Sequence, residues 1–168
     1  MPSGGSLRSA FWVVVAVVVA LDRVTKVLMA RLLGQGADVI IAGDYVRLHL
    51  VHNPGAAFGL HLGPWSRWIF TGIAIGAVYL LHRMWREAAP ADHLRRWAVA
   101  VVAGGAAGNL VDRLLTSRGV IDFIDVGVGT TRWPTFNVAD IAVSCGAVAL
   151  ALSLWREDNS RRPPVPTS

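Results

Sequence analysis

The sequence predicts a membrane protein, mainly α-helical, with four transmembrane helices and a small extracytoplasmic β-sheet cradle between helices 1 and 2. Three observations predict it. Residues of the AVILMFWYC set make up 54% of the chain and Asp, Glu, Lys and Arg only 16%. Soluble domains carry about 25% charged residues, so a soluble chain of this composition would lack polar surface to cover itself. The apolar residues gather into four runs. The tryptophans, Trp12, Trp65, Trp68, Trp85, Trp97, Trp133 and Trp155, stand at or near the ends of those runs, where an amphipathic indole favours the membrane interface.

The first run covers 10–30 and is broken by Asp22, Arg23 and Lys26. Arg8 followed by apolar residues has the outline of a signal peptide, but no small-residue cleavage site follows, which predicts a retained helix. The other runs, 68–81, 97–111 and 141–155, contain no charge. Alone they are shorter than the roughly 20 residues that cross a bilayer; flanking residues extend them to 65–85, 95–115 and 137–155. The chain therefore divides into a cytoplasmic tail (1–9), a four-helix membrane domain (10–157) and a disordered cytoplasmic tail (158–168). With the N-terminus inside, Arg8, Arg83, Arg86, Arg95, Arg96, Arg156, Arg161 and Arg162 fall on the cytoplasmic side. Fewer arginines fall outside, which predicts both termini in the cytoplasm of a multi-pass protein.

The connection 34–64 carries the β-rich insert. Runs at 38–42 and 45–51 join at Gly43-Asp44, a hairpin signal. A turn follows at His52-Asn53-Pro54-Gly55.

Composition excludes several classes. The single Cys145 rules out an internal disulfide and a multi-cysteine zinc site. The formal charge of +5 sits beside apolar segments, without interleaved aromatics, so no nucleic-acid partner is expected. His49, His52, His61, His82 and His93 show no metal-ligand spacing; neither a metal nor a cofactor is expected.

Polar residues inside spans are costly and are functional candidates by default. At 1.5 Å per residue, Asp22 and Lys26 of the first span lie at the depths of Asn109 and Arg113 of the third. Asp140 lies just inside the fourth span, and Asp122 in the short outer connection before it. All meet at the outer boundary of the membrane. Plainer readings exist: Asp22 and Lys26 as a paired charge, Arg113 snorkelling, Asn53-Pro54-Gly55 as a turn, Asn137 with Asp140 as a helix cap. Gly104, Gly105 and Gly108 suit close helix packing. Asp122 with Asp140 lifts the cluster above these. Two carboxylates sharing a proton can activate water with one member and protonate a scissile carbonyl with the other.

The chain resembles the bacterial lipoprotein signal peptidases, the type II signal peptidases, which are integral-membrane aspartic proteases. The matching segments are Asp22-Arg23-Val24-Thr25-Lys26, Asn53-Pro54-Gly55-Ala56-Ala57-Phe58-Gly59, the stretch from Gly104 to Arg113, Val120-Ile121-Asp122-Phe123 and Phe136-Asn137-Val138-Ala139-Asp140. The resemblance implies that Asp122 and Asp140 are the catalytic dyad, and that an amphipathic segment covers the site. It implies that Asn53, Gly55, Asn109, Arg113 and Asn137 shape the pocket or hold substrate, and that Asp22 and Lys26 support the site. The implied substrates are diacylglyceryl-modified prolipoproteins, cleaved just before the lipidated cysteine in the cytoplasmic (inner) membrane, with membrane lipid as the other partner. Two rival classes fit less well. A small ion-coupled transporter would need polar groups around the midplane, which the second and fourth runs lack. A non-catalytic assembly subunit would need no paired aspartates.

Overall fold

The computed structural model describes residues 4–34, 36, 38–54 and 63–161. The chain runs through α1 (Gly4–Leu33), β1 (Val39–Ala42), β2 (Val46–Asn53), a 3-10 turn (Gly63–Trp65), α2 (Ser66–Glu87), α3 (His93–Leu115), β3 (Val120–Val128), β4 (Thr131–Arg132) and α4 (Val138–Arg161). The outer helices exceed their expected limits. α1 starts at Gly4 inside the expected tail 1–9, and residues 158–161 continue α4 where a disordered tail was expected.

α1, α2 and α4 all pack on α3, the central helix. Small residues make this possible. A Cβ on Gly105 would stand 2.4 Å from the Ala139 carbonyl oxygen, and one on Gly108 would stand 2.8 Å from Asp22 Oδ2. α3 and the stretch Val138–Asn159 of α4 are long and apolar enough to cross a membrane. α1 is inverted relative to a helix of a soluble protein: Val13, Val17, Leu21, Val24, Leu28 and Leu32 are exposed while Asp22 and Lys26 are buried. An apolar face turned outward suits an apolar solvent.

The apolar core lies at one end of the bundle, where Phe11, Val14 and Val15 of α1 meet Leu81 and Trp85 of α2 and Val99, Ala100 and Ala103 of α3. Trp85 departs from the interfacial role expected for the tryptophans. It is buried, with Phe11 at 5.5 Å and the Arg96 guanidinium over its ring at 4.3 Å. The other six tryptophans are exposed.

The sheet lies beyond the opposite ends of these helices. β1 and β2 form the expected antiparallel hairpin, with Gly43 at φ +50° in its turn. The sheet then extends past the insert between α1 and α2, because β3 and β4 join it from the α3–α4 connection, in the order β1-β2-β3-β4. The β-branched stretch Val120–Val128 pairs along β2, with Asn53 opposite Val120 and Val51 opposite Asp122. Gly119, at φ +102°, permits this start, since a Cβ there would lie 2.1 Å from the Asn53 carbonyl oxygen. Asp125 locks the strands together. Arg47 of β2 donates to one of its oxygens and Arg132 Nε of β4 to the other at 2.9 Å. Burial raises the Asp125 carboxyl, but the guanidinium donors of Arg132 and Arg47 outweigh it and hold it below the usual carboxylate range.

Candidate active site

Two backbone elements, β3 and α4, deliver the candidate aspartates. α4 begins at Val138, so Asn137 is its N-cap and Asp140 stands in its first turn. The two form a reciprocal cap: Asp140 N–H donates to Asn137 Oδ1 at 3.0 Å, and Asn137 N–H donates to Asp140 Oδ2 at 3.1 Å. Asp22 of α1 completes the cap by accepting the Ala139 N–H at 3.0 Å. Three donors at the helix N-terminus are thereby satisfied by side chains. Asp122 is held by β3, whose Ile121 is gripped on both sides. Its N–H donates to Asp112 Oδ2 at 3.2 Å, and its carbonyl accepts from Asn137 Nδ2 at 3.3 Å.

Two asparagines join the carboxylates. Asn137, fully buried, donates from Nδ2 to Asp122 Oδ1 at 2.6 Å. Asn109 donates from Nδ2 to Asp140 Oδ1 at 2.8 Å. The Asn109 carbonyl oxygen accepts from Lys26 Nζ at 2.9 Å and from Asn137 Nδ2 at 3.1 Å. Asn53 at the end of β2 donates to Asp122 Oδ2 at 3.2 Å. Behind this layer, Lys26 is fully buried between Asp22 and Asp112, each 2.8 Å from Nζ. Arg23 adds a second contact to Asp112, at 3.2 Å. A buried ammonium needs such pairing.

Asp122 and Asp140 open into a cavity of about 570 Å³. Asn53, Asn109 and Arg113 share its polar wall, and Trp133, Phe136, Ile141 and Val143 make much of the rest apolar. Arg113 donates from Nη1 to the Asn109 carbonyl at 3.2 Å, and its Nε is buried with no hydrogen-bond partner among the described residues. Burial pushes the Asp122 carboxyl up, and the charge of Asp140 adds to this; donors from Asn53 and Asn137 oppose it, and the result is about 6. A carboxyl that holds its proton up to about pH 6 beside a second carboxyl has the chemistry of an acid–base pair.

The structure thus brings together Asp122, Asp140, Asn53, Asn109, Arg113 and Asn137 at the cavity, with Asp22 and Lys26 behind them. Gly55, and the segment expected to cover the site, lie outside the described residues. Asn137 and Asp140 are the cap that the plain reading proposes, and Asn137 also holds both carboxyl groups. Asp112 was not singled out from the sequence, although an acid one turn from Asn109 in an apolar helix was the available signal. Among the described residues, no three His, Cys, Asp or Glu side chains cluster as a metal site requires.

A family model described as signal peptidase (SPase) II matches residues 14–156. The chain belongs to the signal peptidase II family. The lipoprotein signal peptidase of Paraburkholderia phymatum is 40% identical over 164 residues, which cover 96% of each chain. That of Burkholderia mallei is 40% identical over 155 residues, 88% of each chain. A solved bacterial membrane enzyme superposes with a TM-score of 0.80 at 25% identity over 95% of each chain. Another gives 0.75 at 28% identity, over 87% of this chain and 92% of the other. Signal peptidase II membership makes the chain a membrane peptidase of the lipoprotein-processing class.

Proposed function

We propose that this signal peptidase II is an intramembrane aspartic endopeptidase that removes the signal peptide from diacylglyceryl-modified prolipoproteins, cutting just before the lipidated cysteine. The observation that carries the reading is Asn137, whose side chain binds Asp122 while its backbone N–H binds Asp140. One residue thus holds two carboxyl groups at one cavity. In the proposed reaction Asp140, as the carboxylate, takes a proton from water while the water oxygen attacks the scissile carbonyl carbon. Asp122 gives its proton to the carbonyl oxygen. The tetrahedral diol then collapses: the C–N bond breaks, the cysteine nitrogen takes the proton held by Asp140, and Asp122 recovers its own. Asn53, Asn109 and Arg113 orient the carboxyl groups and the substrate, while Asp22 and Lys26 support them.

The reading places the four helices across the cytoplasmic (inner) membrane, both termini in the cytoplasm and the site near the outer surface under the sheet. The apolar wall of the cavity supports a lipid-bearing substrate, since each buried methylene contributes about 0.8 kcal/mol. The test is direct. Purified protein is incubated with lipidated and unlipidated forms of one prolipoprotein, and products are weighed by mass spectrometry. A signal-peptide-sized loss is expected from the lipidated form alone, and none with Asp122→Asn or Asp140→Asn. Near-normal cleavage by either variant, with deamidation excluded by mass, would remove the dyad.

A further inference from the structure

α2 contributes no side chain to the wall of the cavity, yet its first two turns take hold of Arg113 at two points. Arg67 donates from Nε to the Arg113 carbonyl at 2.6 Å and from Nη2 to the Leu114 carbonyl at 3.4 Å. Both carbonyls belong to the last turn of α3, which ends at Leu115 and leaves such groups without intrahelical partners. Phe70, three residues on and hence on the same face of α2, lies 5.7 Å from the Arg113 guanidinium. Arg67 is itself steadied by Trp68, whose ring centre is 5.0 Å from its guanidinium carbon. Between these grips the Arg113 side chain reaches the cavity, where it donates to the Asn109 carbonyl at 3.2 Å.

We infer that Arg67 is a positioning residue: by holding the end of α3 it sets where the Arg113 guanidinium stands relative to substrate. The inference rests on the proposed reading, in which Arg113 meets the substrate. The charge of Arg67 is therefore not only a mark of membrane orientation. It ties α2 to the reaction through the backbone of another helix.

Two measurements test this. In the first, kinetics on a lipidated prolipoprotein compare the parent with Arg67→Gln, Arg67→Lys, Arg113→Lys and the double variant Arg67→Gln/Arg113→Lys. Arg67→Gln is expected to raise KM about tenfold in the parent and less than about threefold in the Arg113→Lys background. Arg67→Lys, which keeps a donor and the charge, is expected to recover most of the loss. Equal fold-losses in both backgrounds, or a lower melting temperature with unchanged KM and kcat, would overturn the inference. The second measurement needs no cleavage. In arginine-labelled protein, the 15Nε–H signal of Arg113, assigned by its loss in Arg113→Lys, is expected to shift in Arg67→Gln and to exchange with solvent about tenfold faster, as the buried donor loosens. An unmoved signal overturns the inference whatever the kinetics show. A moved signal in a protein that leaves lipidated prolipoprotein uncut supports the positioning and removes the proposed function alone.

Discussion

The Lys26 ammonium donates to Asn109 Oδ1 at 2.9 Å, which leaves Asn109 only its NH2 group to offer to Asp140. An amide can be turned either way round, and the direction follows from its partners. Here a buried cation makes the choice. Lys26→Met is expected to abolish turnover and to destabilise the fold by about 3–5 kcal/mol, because Asp22 and Asp112 lose their shared partner. Adding Asp22→Asn removes the charge left without a cation, because Arg23 still pairs with Asp112, and is expected to restore part of the melting temperature without restoring turnover. Recovery of both together would show that Lys26 matters only for stability.

The raised carboxyl of Asp122 sets a pH dependence of stability. Its proton is favoured by the fold, so the stabilisation is complete below the ordinary value of 3.8 and is lost as pH rises through about 6. Asp122→Asn stays neutral throughout. It is expected to melt above the parent at about pH 8, by the equivalent of about 2–3 kcal/mol, and level with it at about pH 4. Thermal unfolding across that range checks it; a constant difference at all pH values would contradict the shift.

Asn137 has two functions that one substitution separates. Asn137→Ser keeps an oxygen that can cap α4 but has no NH2 for Asp122 and Asn109. The expected outcome is a loss of about 1–2 kcal/mol in stability and a fall of about a hundredfold or more in kcat/KM. Retained cleavage at the parent rate would reduce Asn137 to a cap.

Asp125 has the opposite pH behaviour to Asp122. Its carboxyl is held below the usual range despite burial, because Arg132 and Arg47 donate to it. The stability it provides is present above the ordinary carboxylate value and is lost as pH falls below it. Asp125→Asn is expected to cost about 1–2 kcal/mol at neutral pH, allowing for the partial exposure of Arg47. The cost is expected to vanish in acid, read by hydrogen exchange of the β2 and β3 amides.

The extent to which the sequence foretold this molecule differs by element. Gly43-Asp44 between β-rich runs announced the β1–β2 hairpin because a turn is a local event. Asp122 and Asp140 stood out because an acid between apolar neighbours has no local use. β3 was hidden for the same reason: Asp122 and Asp125 interrupt its β-branched residues, and Asn53, Asn137, Arg47 and Arg132 from other elements satisfy them. Asp112 and Arg67 were equally hidden. Their partners, Lys26 and the Arg113 carbonyl, are distant in the chain, and a lone arginine at a helix end reads first as topology. Pairings between helices leave no periodic trace along either one.

The reciprocal cap between Asn137 and Asp140 has a kinetic consequence. The Asp140 oxygen that receives the Asn137 N–H belongs to the same carboxyl group that is proposed to take a proton from water. When that group is neutralised its hold on the N–H weakens, and the first turn of α4 is slackest at the moment the tetrahedral intermediate exists. Under the proposed mechanism each turnover includes a brief fraying and re-tightening of one helix end. The amide of Asn137 becomes a clock for the reaction, its exchange quickening with substrate flux and slowing when an unreactive analogue fills the cavity.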